Sequence, residues 1–135
     1  VEIKALKRIL DLLADDDKHP VLCFVDEVLR GTNTVERIAA STQILRSMAD
    51  KSCICFAATH DIELTHLLER VYRNYHFEEE IKDDDIIFSY KLLDGRATTR
   101  NAIKLLGIMG YDDSMIREAE EMANAFLKTG HWKVK

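Results

Sequence analysis

The chain, 135 residues long and 47% hydrophobic, sets 19 Lys and Arg against 24 Asp and Glu for a net charge of −5. That size and apolar content suit one domain with a real core and no need of disulfides or metal, and the acidic balance excludes this stretch as the part that grips a nucleic-acid backbone. No apolar run approaches the roughly 20 residues of a membrane span and no basic-then-apolar leader opens the chain, so a soluble, cytoplasmic protein is expected.

"VEIKALKRILDLLADDD" starts inside a helical pattern and without an initiator Met, from which a piece of a longer protein is expected. Ile3, Leu6, Leu10 and Leu13 share one stripe with Ile9 beside it, predicting an amphipathic helix over 2–14. Pro20 biases His19 towards extended backbone and ends the acidic loop where Val21 begins an apolar run. Residues 21–25 do not alternate, which predicts a strand buried on both faces. Asn33 and Glu36 have the spacing of a helix N-cap and its N3 partner, and Val35, Ile38, Ala39, Thr42 and Leu45 form a stripe, so a helix should run to near Ala49. "SCICFAAT" is a second continuous apolar run. Two such strands joined by one helix should lie parallel, with a right-handed crossover. Cys23, Cys53 and Cys55 all fall in these runs and read as core thiols of a reducing compartment rather than as a zinc site.

"DIELTHLLER" predicts a short helix that Asp61 can cap. "VYRNYHFEEEI" and "IIFSYKLL", separated by "KDDD", predict a hairpin at about 72–93 on an edge of the sheet. From Thr98 two helices follow, broken near "GIMGYDD", with Asp112 or Asp113 capping the second and Met115, Ile116, Ala119, Met122, Ala123 and Phe126 forming its apolar stripe. "KTGHWKVK" reads as a tail.

Ligands of open parallel sheets sit beyond the carboxyl ends of the strands, where loops and helix N-termini converge. If the two strands are parallel, Asp26 and Glu27 leave the first at the edge where Thr59, His60 and Asp61 leave the second. An aspartate there can hold a magnesium ion through water, and the adjacent glutamate can orient and deprotonate an attacking water. The histidine can donate to a terminal phosphate, where charge accumulates during transfer. Two other readings are open: Asp26, Glu27, His60 and Asp61 as a self-contained metal centre for phosphoester hydrolysis, or a non-catalytic dimerisation module using Ile103, Leu106, Met115 and Met122.

"FVDEVLRGTNT", followed about thirty residues on by "FAATHDIEL", resembles the nucleotide-binding domain of MutS mismatch-repair proteins, in the ABC ATPase superfamily. The acidic pair is similar to a Walker B motif, "RGTNT" to the family's D-loop (commonly "GRGTST") and "ATHDIEL" to its switch-histidine segment (commonly "ATHYFEL"). The resemblance continues through the hairpin, "LLDG" and the C-terminal helices. It implies an α/β fold, the C-terminal portion of a P-loop ATPase domain with parallel strands, flanking helices, an edge hairpin and a C-terminal helical pair. Residues 1–97 would be the partial nucleotide-binding domain and 98–135 a helical segment. The resemblance further implies ATP and Mg²⁺ as ligands. Asp26 would hold Mg²⁺ through water, Glu27 would be the general base, His60 would contact the γ-phosphate, and the D-loop, Arg30, Gly31, Thr32, Asn33 and Thr34, would reach across a homodimer. DNA would be held by other domains of the parent. The chain departs from the family in having Leu29 where glycine is usual and "TVERIAAS" where small residues open the helix, which marks a divergent branch. No G-x-x-x-x-G-K-[ST] phosphate loop occurs, so residues 1–135 alone are expected to bind ATP weakly or not at all and to be inactive by themselves.

Overall fold

A computed structural model describes residues 2–14, 20–29, 31, 33–82, 85–97 and 101–132. The elements run α1 (Glu2–Ala14), β1 (Val21–Asp26), α2 (Thr34–Ala49), β2 (Cys53–Ala58), α3 (Ile62–Leu67), β3 (Tyr75–His76), β4 (Glu79–Lys82), β5 (Asp85–Phe88), β6 (Leu93–Asp94), α4 (Ala102–Ile108) and α5 (Asp113–Thr129). They fall into two units: the first runs to Tyr75 and takes in Asp94–Arg96, and the second holds His76–Leu93 and the chain from Ala97 on. Among the described residues no helix is long and apolar enough to cross a membrane.

In the first unit β1 and β2 pair in parallel, in a register that sets Val21 against Cys53, Cys23 against Cys55 and Asp26 against Ala58. α2 joins them, as the β-α-β pattern predicts. Its start is fixed by Asn33, whose side-chain oxygen accepts from the amides of Val35 (3.0 Å) and Glu36 (3.4 Å), satisfying donors that the helix itself cannot pair. The buried row of α2 is Ser41, Thr42, Leu45 and Met48, with Ile38 partly buried above it. Val35 and Ala39, expected on that row, are exposed. Ser41 takes their place because its small side chain lets the helix approach the turn after β1, where its hydroxyl donates to the Val28 carbonyl at 3.3 Å. Thr42 likewise donates to Ile38 O at 2.7 Å, so the polar atoms on this buried face are satisfied.

Leu6 from α1, Cys23 from β1, Val28 and Leu29 from the turn, Leu45 and Met48 from α2, and Leu64 and Leu68 from the α3 segment form one core. Tyr72 closes its edge by donating to Leu45 O at 2.9 Å. All of this lies on one face of the strand pair. The other face carries Leu22, Phe24, Ile54 and Phe56, which are 59, 71, 63 and 58% exposed, the two phenyl rings stacked at 5.4 Å. Among the described residues, the expected burial of both faces is therefore met on one face and not on the other. The runs are continuously apolar because each face is apolar, and the helices of this unit cover one of them. Ile3, at the first turn of α1, is also exposed.

α3 begins after Asp61, whose backbone carbonyl accepts from Leu64 N at 3.1 Å, but the Asp61 side chain makes no cap bond. Its carboxylate is engaged elsewhere, as described below.

In the second unit β4 and β5 form the expected hairpin as a two-stranded antiparallel sheet of their own, with Glu79 opposite Phe88 and Lys82 opposite Asp85. The tip, residues 83–84, lies outside the described residues, as does the expected helix start at Thr98; α4 is described from Ala102. Along α5, Ile116, Ala119, Ala123 and Phe126 are half-buried while Met115 and Met122 are exposed, so the apolar stripe is narrower than its sequence suggests. Asp112 occupies the N-cap of α5 without a side-chain cap bond. At the other end Gly130, at φ +71°, turns the chain in the left-handed region and donates to Phe126 O at 2.7 Å. Trp132 then stacks on Phe126 at 4.3 Å, so the expected tail packs at least as far as that ring.

Two outcomes follow from these contacts. Asn33→Ala should lower stability by about 1 kcal/mol in denaturant titrations, and Asp112→Ala by less than half of that, because only Asn33 makes a side-chain cap bond. Burial, reinforced by Cys55 and Cys53, pushes the Cys23 thiol from its ordinary 9.0 up to about 11. The folded state thus favours the neutral thiol: this contribution is whole below pH 9 and is lost as pH rises towards 11. Unfolding midpoints measured between pH 8 and 11 should fall across that window, and less steeply in Cys23→Ala.

Candidate functional site

Parallel pairing sends the carboxyl ends of β1 and β2 to the same edge. Asp26, the last residue of β1, is level with Ala58, the last of β2, and the ladder extends one step further through Glu27 N donating to Ala58 O at 2.9 Å. Beyond that point the backbone turns sharply: Glu27 has φ +47° and Leu29 φ +62°, both in the left-handed region that costs a side-chain-bearing residue about 1–2 kcal/mol. The turn is held from three sides. Val28 and Leu29 are buried in the core, Ser41 binds Val28 O, and the Leu29 amide donates to the Glu2 carboxylate at the start of α1.

This turn delivers Glu27 to His60. Glu27 Oε1 lies 3.0 Å from His60 Nε2, the glutamate side chain being 27% exposed and the imidazole 92% exposed. Two of the sequence-predicted residues, distant along the chain, are thus brought to ion-pair distance at the strand-end rim, and Asp26 lies exposed at the end of β1. A carboxylate next to a solvent-facing imidazole is an arrangement that can take a proton from water on one side and donate to an anion on the other.

Of the expected D-loop, Gly31, Asn33 and Thr34 are described, and Arg30 and Thr32 lie outside the described residues. Gly31 has φ +80°, and a Cβ built there would meet nothing within 4 Å. Backbone conformation rather than crowding from this chain therefore calls for glycine. Asn33 is the N-cap of α2, and Thr34 is its exposed first residue.

Asp61, read from sequence as a helix cap or fourth metal ligand, is instead gripped by Arg37 of α2. Arg37 Nε donates to Oδ2 at 3.0 Å and Nη2 to Oδ1 at 2.5 Å, a two-pronged ion pair with side chains 24 and 18% exposed. The Asp61 hydrogen bonds, and behind them the charges of Asp61, Glu27 and Glu63, push the Arg37 guanidinium further above its ordinary range. Thr59 Oγ1 accepts from the Asp61 amide at 3.0 Å. Arg37 was missed in the sequence because its partner is remote along the chain; the only local signal was a charged residue where small ones were expected.

The donor set bears on a divalent cation. Asp26 offers one carboxylate at the strand end, and among the described residues no three His, Cys, Asp or Glu side chains gather into a group able to hold a metal.

A shallow cleft of about 370 Å³ lies elsewhere in the first unit, lined by Glu69, Tyr72, Arg73, Asn74, Asp94, Gly95 and Arg96. None of the strand-end residues lines it, and its charges are paired: Arg73 with Asp94 at 3.0 Å and Arg96 with Glu69 at 2.7 Å. These bonds, with Gly95 N donating to Asn74 O at 2.9 Å, tie the "LLDG" loop down.

Residues 1–127 match the family model described as MutS domain V. The chain is 38% identical over 104 residues to the DNA mismatch repair protein MutS of Aquifex pyrophilus, covering 75% of this chain and 12% of that protein. It is 31% identical over 127 residues to MutS of Rickettsia rickettsii (strain Sheila Smith) and 32% to that of Rickettsia felis, in both cases covering 92% of this chain and 14% of the relative. The chain therefore spans less than one sixth of the length of these curated relatives. With the α/β strand pair, the helices and a match across nearly all its residues, the chain belongs to the MutS family as part of its domain V.

Proposed function

We propose that the chain is part of an ATP-binding and ATP-hydrolysing domain of a MutS-like DNA mismatch-repair protein, in which ATP turnover is coupled to DNA binding and to the state of a homodimer. The observation that carries this reading is the 3.0 Å contact between Glu27 and His60 at the strand-end rim. The apolar outer face of the β1–β2 pair supports it, since parallel strands are normally covered on both sides and this face suits the interior of a larger sheet. In this reading residues 1–97 belong to the nucleotide-binding part and 98–135 to a helical segment, with DNA held by other domains of the parent.

The roles follow from the chemistry of each group. Asp26 would hold a Mg²⁺ ion, which when bound would neutralise charge on the phosphates. Glu27 accepts a proton from the attacking water, and its position on a strained, well-anchored turn limits the ways in which it can be displaced. His60 donates through its imidazole to the terminal phosphate. Its solvent-exposed ring can exchange its Glu27 contact for an incoming anion at little cost in packing. Arg30, Gly31, Thr32, Asn33 and Thr34 form the loop that meets the partner subunit, and the open side of Gly31 leaves its backbone approachable. The exposed Met115 and Met122 of α5 suit a further contact between subunits. A self-contained metal phosphoesterase fits less well, because both Asp61 oxygens are taken by Arg37.

In the full-length protein, Glu27→Gln should lower ATP turnover by about 10²- to 10⁴-fold while ATP still binds; steady-state hydrolysis and nucleotide binding measured side by side check this, and unchanged turnover would count decisively against Glu27 as the base. Residues 1–135 by themselves, lacking a phosphate-binding loop, should bind ATP more weakly than about 1 mM by calorimetry, for want of the backbone amides that cradle phosphates.

A further inference from the structure

His60 raises a mechanical question. Its ring is 92% exposed, so packing does not fix where it points. Its two chain neighbours, by contrast, are tied. Thr59 Oγ1 accepts from the Asp61 amide at 3.0 Å, closing a short turn around His60, and the Asp61 carbonyl accepts from Leu64 N, which joins that turn to α3. The tie from outside this segment comes from Arg37, whose guanidinium fork takes both carboxylate oxygens of Asp61.

Arg37 sits in the first turn of α2, on the helix that Asn33 caps and that follows the Gly31 turn. A fork of two parallel bonds fixes direction as well as distance, which a point charge does not. Both members are largely buried, at 24 and 18% exposure, so water competes for them less than at an open surface pair.

We propose that Arg37 is a positioning residue which, through its two-pronged grip on Asp61, sets the His60 segment against Glu27 and couples it mechanically to the loop that opens α2. The inference rests on the reading of Glu27 and His60 given above. Arg37 does not touch substrate in this scheme. It acts through Asp61, and displacement of a catalytic group by about 1 Å is enough to reduce a rate by roughly 10²-fold.

The test uses the full-length protein, with ATP hydrolysis and ATP affinity measured for Arg37→Met, Arg37→Lys, Asp61→Asn, the exchange Arg37→Asp with Asp61→Arg, and Glu27→Gln as reference. Expected is a fall in kcat of about 10- to 100-fold for Arg37→Met, with ATP affinity within about threefold and KM little changed, because positioning acts on the chemical step and not on ground-state binding. Arg37→Lys, which keeps charge but has no fork, should lie between. The exchange should recover turnover above either Arg37→Asp or Asp61→Arg alone, which a generally destabilised fold would not do. If Glu27→Gln abolishes turnover while Arg37→Met and Asp61→Asn stay within about twofold of wild type, the positioning role is wrong and the ATPase reading stands. An exchange variant no better than its single components overturns the role equally. If Glu27→Gln itself leaves turnover intact, the underlying reading fails first and the inference goes with it.

Discussion

The register between β1 and β2 governs both the core and the rim. Because side chains alternate along a strand, a slip of one residue would carry Cys23 out of the core and Phe24 into it. It would also remove the bond from Glu27 N to Ala58 O that extends the ladder past the last strand residue. That bond fixes where the turn begins, and the turn fixes where Glu27 points. One parallel pairing, selected by which residues fit under α2, therefore sets the separation between an acid and a histidine that are distant along the chain.

The turn after β1 holds the backbone in an unfavoured conformation and is anchored accordingly. Two side-chain-bearing residues with positive φ within three positions are costly, and such clusters persist only where surroundings determine them. Leu29 is instructive because a large side chain here occupies the left-handed region and is buried as well. Leucine pays about 1–2 kcal/mol for the left-handed region, which its burial in the core offsets by about 1.5–3 kcal/mol. Glu2 and Ser41 then secure the single peptide group between Val28 and Leu29, Glu2 accepting from its N–H and Ser41 donating to its carbonyl. The shape of this turn is thus maintained by packing and hydrogen bonds in spite of its unfavoured φ.

The strand pair has one finished face and one apolar face left open by this chain. The finished face contains Cys23, whose thiol burial pushes up, set against Cys55 in register, with Met48 Sδ 3.9 Å from Cys55 Sγ. Such sulfur groups serve here as compact apolar filling between sheet and helix. The other face is apolar and exposed, with its two phenyl rings stacked on one another.

Local pattern determined much of this protein: the α1 stripe, the Asn33 cap, the span of α2 and the two apolar strands are legible in short windows of sequence, because hydrophobic period and capping chemistry are set within a few residues, and the rule that such β-α-β strands lie parallel then places Glu27 and His60 at one edge. Tertiary structure decided the rest. Apolar runs at 21–25 and 53–56 say that both faces can be buried, but only the placement of the helices decides which one is. Val35, expected in the buried row of α2, is exposed while Ser41 is buried, because burial on α2 depends on the turn lying above it rather than on each residue's polarity. Asp61 looked like a cap for the helix beside it, and its true partner, Arg37, was invisible because an ion pair between remote residues exists only once the fold has brought them together.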